Sequence, residues 1–168
     1  MVKKSSSLTN RLARQVTGSG GSGVVAAALR PAAEDRPLGA VVWEVLSPAC
    51  KLAVADAAEF ANRFAGLAEF GTGQATGWIA GLLGTFGPFL DQGADPLADP
   101  KLRTLEDDVL AALGLDAVWQ ASGEHPVPAF RPRRRTFGGM QIIEATFELV
   151  VAARGNGWDL VLARADED

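Results

Sequence analysis

The dipeptide Asn156-Gly157, set between two apolar runs, leaves the end of this chain few ways to fold. Asn-Gly suits a two-residue hairpin turn, because both central residues adopt positive φ there. A turn at that point sets Ala153 opposite Leu160, Val151 opposite Leu162, and Arg154 opposite Asp159. Apolar then meets apolar and charge meets opposite charge, the pairing that fixes strand register. A second turn at Gly138-Gly139 sets Phe130 opposite Phe147 and Arg133 opposite Glu144. Along the shared strand, Ile143, Ala145, Phe147, Leu149, Val151 and Ala153 fall on one face; Glu144, Thr146 and Glu148 fall on the other. Residues 130–164 are therefore expected to form a three-stranded antiparallel meander, with a short strand at Ala117–Ala121 before it.

Helical signals lie upstream. Asp99-Pro100 reads as an N-cap followed by the first helical residue, and Gly114 as the stop. Leu102, Leu105, Val109 and Leu113 make the buried stripe, and Glu106, Asp107 and Asp108 a solvated acidic face. Successive helical residues point about 100° apart, so three adjacent acids do not converge on a metal. Gly39–Leu46 is rich in β-branched residues and reads as a mostly buried strand. Ser47-Pro48 then starts a helix whose stripe is Ala53, Ala57, Phe60, Phe64 and Leu67, with Glu59 and Arg63 as an outer pair. Gly71–Leu90 carries no charge. Trp78, Leu82 and Phe86 share a helical face there, and Gly77 and Gly81 form an edge of small residues. A packed or interface helix is favoured over a loose apolar loop or membrane insertion. The fold class is α+β: an N-terminal strand, two or three helices, then a C-terminal antiparallel β-meander.

Charge is laid out unevenly. Residues 1–33 hold five basic and no acidic side chains, whereas residues 34–124 hold fourteen acidic against five basic. With Gly18–Gly23 as a flexible linker by composition, residues 1–23 read as a basic arm on a single domain, 24–168. The linker also fits G-x-G-x-x-G, but no strand precedes it to aim amides at a phosphate, so no cofactor is expected.

The chain has one cysteine and one histidine. A lone cysteine forms no internal disulfide, which places the chain in the cytoplasm or in a particle assembled inside a cell. Cys50 falls in the expected first helical turn, where a dipole lowers a thiol pKa, although a packed structural thiol is favoured. His125 reads as a surface-loop residue, and no nucleophile elbow accompanies it. No catalytic, metal or cofactor site is expected, and the chain is read as a non-enzyme.

The strongest polar constellation is Arg131, Arg133, Arg134 and Arg135 on an edge strand marked by Pro132. Such arginines grip nucleic-acid phosphate, pair with acids of a neighbouring subunit, or deter sheet-edge aggregation. The absence of an aromatic stacking platform favours protein over nucleic acid. The residues expected to bind partners are Lys3, Lys4, Arg11, Arg14, Trp78, Arg131, Arg133, Arg134 and Arg135.

A helix at Pro100–Leu113 leading into a short strand and a long antiparallel hairpin resembles the layout of bacteriophage tail-terminator and tail-completion (head–tail joining) proteins. The resemblance covers roughly Asp99–Arg164 and is architectural, since that family offers no diagnostic motif. It implies a non-enzymatic ring subunit within a virion, with protein partners, a homo-oligomeric state and no membrane association. A nucleic-acid-binding accessory protein and a small enzyme are the alternatives.

Overall fold

The computed structural model describes residues 2–18, 22–84, 95–127, 130 and 140–167. In chain order the elements are α1 (Val2–Ala13), β1 (Gly23–Pro31), α2 (Leu38–Leu46), α3 (Ala57–Ala65), β2 (Glu69–Gly71), α4 (Trp78–Gly84), α5 (Pro100–Leu113), β3 (Val118–Ala121), β4 (Phe147–Gly155) and β5 (Trp158–Asp166). The strands form one antiparallel sheet in the order β1-β5-β4-β3-β2. The α+β class holds.

The β4–β5 hairpin follows the sequence register: Ala153 faces Leu160, Val151 faces Leu162, and Arg154 faces Asp159. Asn156 and Gly157 take φ of 49° and 77°, the left-handed conformation the turn requires. Beyond β4 the neighbour is β3, which pairs Val118 with Arg154 and Ala121 with Val151. Residues 131–137, expected as the first strand of the meander, lie outside the described residues. Phe130 packs on His125 instead, with ring centroids 5.2 Å apart. The Gly138-Gly139 turn lies outside the described residues.

Helices cover both faces of the sheet. Leu149, Val151, Ala153, Leu160 and Leu162 meet α1, α4 and α5 on one side. Val150, Ala152, Val161 and Ala163 meet α2 and α3 on the other. Two-sided burial explains why these strands read as unbroken apolar runs. At β1 a bulge after Val24 turns both Val25 and Ala26 toward the α2–α3 side.

Three expectations are corrected. Residues 39–46 form α2, not a strand. Gly39, Val42 and Leu46 recur at helical spacing and are buried, and packing against α3 overrides the β preference of the valines. A Cβ on Gly39 would stand 3.0 Å from both Ala61 Cα and Phe64 Cβ, so the two helices cross at glycine distance. Ser47 is the C-cap of α2, and the next helix starts at Asp56, whose carboxylate accepts from Glu59 N at 2.8 Å. Finally, the basic arm is a helix docked on the domain: Leu8 and Leu12, one turn apart, are 8% and 0% exposed. By contrast α5 runs from its Asp99 cap to Gly114 as the sequence indicates.

Candidate functional site

The site is built where α1 ends beside the start of α5. Leu8 and Leu12 seat α1 in the core, and Thr9 Oγ1 donates to Leu29 O of β1 at 3.2 Å. Past the helix, Thr17 N donates to Val24 O and Val24 N to Thr17 Oγ1, each at 3.0 Å, which ties the segment to β1. Arg11 and Arg14 are thereby held at one border of an open groove of about 530 Å3. Lys101 and Thr104 of α5 form the other border, with Leu105 and Pro100 as apolar floor.

Arg11 Nη1 lies 2.6 Å from Asp108 Oδ2, so half of that border is neutralised. Arg14 and Lys101 join no ion pair among the described residues. Asp99 caps α5 by accepting from Lys101 N at 2.8 Å and stays as an anion outside the groove lining. What remains is a cationic cleft with a hydrophobic base. It suits a partner that brings carboxylates or phosphates on a partly apolar surface.

Arg11 and Arg14, two of the residues expected to bind partners, line one groove. Lys3 and Lys4 stand in the first turns of α1, and their side chains lie outside the described residues. Arg131, Arg133, Arg134 and Arg135 also lie outside them. Trp78, expected on a partner surface, is only 6% exposed. It stacks on Phe70 at 5.4 Å and tilts against His125 at 4.8 Å, so it belongs to the core. Lys101 is the groove residue that sequence reasoning misses. A signal for it exists, since a lysine in the first turn of a helix opposes the macrodipole and is unfavourable there without another use.

The buried titratable groups elsewhere are committed to holding the fold. Glu106, read as part of a solvent face, is 2% exposed. Its carboxylate accepts from Gly77 N at 2.7 Å and Ala80 N at 2.8 Å, satisfying the start of α4. Burial pushes its carboxyl above the usual range, and these amide bonds pull it back. His125 is buried, not on a loop surface. Val127 N donates to its Nδ1 at 3.0 Å, so Nε2 carries the proton and donates to Thr76 O at 2.9 Å. Glu148 accepts from Ile142 N at 2.9 Å and Ile143 N at 3.2 Å, and burial pushes its carboxyl up to about 7. Cys50 sits outside any helix, where burial and then the charge of Glu148 raise its thiol, contrary to the lowering a helix start would give. Asp159, fully buried, takes Arg154 Nε at 2.6 Å and Nη2 at 2.9 Å, and Ala33 N at 3.0 Å.

Among the described residues no helix is long and apolar enough to cross a membrane. Comparison with protein-family models, curated proteins and solved structures yields no match for this chain.

Proposed function

We propose that this chain is a non-enzymatic structural subunit of a homo-oligomeric assembly, of the ring-forming kind to which phage tail-terminator and head–tail joining proteins belong. The observation that carries this reading is the docking of α1. Leu8 and Leu12 anchor the basic segment against α5, so the backbones carrying Arg14 and Lys101 are held side by side, and neither side chain has an ion-pair partner among the described residues. Cations carried side by side on a held backbone favour association with an acidic surface, because the segment that bears them need not fold on binding. The buried polar groups add support: Glu106, Glu148, His125 and Asp159 direct their polar atoms at backbone amides, a backbone carbonyl or an arginine, as befits a scaffold.

The same two cations favour a second reading, binding of a nucleic-acid backbone. Light scattering on the full chain, paired with fluorescence anisotropy on labelled duplex and single-stranded DNA, separates the two. Defined multimers with no DNA binding at low salt are the expected result. A monomer that binds DNA, and loses salt-dependent affinity on Arg14→Ala with Lys101→Ala, would replace the assembly reading.

A further inference from the structure

The groove has a counterpart at the other end of the molecule. α5 has 14 residues and spans about 21 Å, with the cationic groove at its first turns. At its far end Asn156 Nδ2 donates to Ala112 O at 3.1 Å, and Ala32 N donates to Gly157 O at 2.9 Å. Those bonds gather the C-terminus of α5, the β4–β5 turn and the β1–α2 loop into one pole. Glu34, Asp35 and Asp116 stand there and join no ion pair among the described residues. The nearby Arg154 is committed to Asp159. Next to Asp116, Leu115 is 88% exposed, the most exposed large apolar side chain among the described residues.

One pole therefore offers two cations beside Pro100, and the other offers three carboxylates with an exposed Leu115 next to Asp116. The polarity runs the same way as the α5 dipole, positive at the groove and negative at the far pole. We infer that the groove of one copy receives the Glu34–Asp35–Asp116 pole of the next, with Leu115 against Pro100, in a head-to-tail contact between copies of this chain. The two surfaces differ, so the contact is heterologous and repeats into a closed ring or an open filament. This inference rests on the assembly reading and names its interface.

Charge reversal tests it. One variant carries Arg14→Glu and Lys101→Glu; another carries Glu34→Lys, Asp35→Lys and Asp116→Lys. These side chains make no ion pair among the described residues, so both variants should keep the wild-type circular dichroism, the acidic-pole variant melting somewhat lower because Glu34 and Asp35 act through space on Arg154. Each alone presents like charges at both poles and is expected to sediment as a monomer while the wild type sediments as a multimer. An equimolar mixture restores complementary poles and should recover the wild-type mass, as should one chain carrying all five changes. A wild-type multimer whose mass neither variant alters would overturn the groove contact and leave the assembly reading standing. Monomeric variants whose mixture stays monomeric would also overturn the contact. A wild type that is monomeric at every concentration would overturn both.

Discussion

Glu148 couples the fold to pH. Its carboxyl lies at about 7 in the folded chain against 4.5 for an unburied glutamate, with burial as the main cause and the Ile142 and Ile143 amides opposing it. A raised folded value means that the native state holds the proton more tightly. The associated stability is fully present below the unfolded value and is lost as pH rises through about 7. The loss is on the order of 3 kcal/mol, since each tenfold difference in proton affinity between the folded and unfolded chains is worth about 1.4 kcal/mol. Denaturant titrations at pH values near 5 and 8 should show the decline, and Glu148→Gln should flatten it; Cys50 is the titratable neighbour whose thiol this charge raises. Glu106 adds a contribution of the same sign. Replacing it by Leu leaves the Gly77 and Ala80 amides without their acceptor, and each buried orphan costs about 1–3 kcal/mol, readable as a lowered melting temperature. Asp159→Ala strands Arg154 beside the core and should cost about 3 kcal/mol or more in the same assay.

Among the elements, those with local rules were legible in the sequence. The β4–β5 hairpin announces itself through Asn156-Gly157 and the Arg154–Asp159 pair, and α5 through its Asp99-Pro100 start and Gly114 stop. Elements decided by distant packing were not. The Val41–Val42 pair favours a strand locally, and only the close crossing over α3 at Gly39 makes α2 a helix. β1 has no alternation because both its faces are buried, so Val24–Leu29 reads as a short apolar run. The neighbour of β4 is β3, separated from it by residues 122–146, a pairing that no dipeptide encodes. Half of the groove was visible as Arg11 and Arg14; the other half needed the contact between α1 and α5. Glu106 illustrates the same point: it stands four residues after Leu102 and three before Val109, on the buried side, yet its acidic neighbours suggest solvent. If α1 belongs to the core, Leu12→Ala should destabilise the chain by about 2–5 kcal/mol in equilibrium unfolding. An arm hanging free would leave the midpoint unchanged.

At the scale of the whole molecule, helices bury both faces of the sheet, and the proposed contact uses the rim. The cationic groove and the acidic pole face solvent, so their attraction is subject to ionic screening. The most direct measurement is sedimentation velocity on the full chain at low ionic strength, about 0.05 M, and at high, about 1 M, between which the screening length falls several-fold. A species at a multiple of 17.6 kDa is expected in the first condition, with a shift toward the single chain in the second. A sedimenting mass of one chain in both would contradict it.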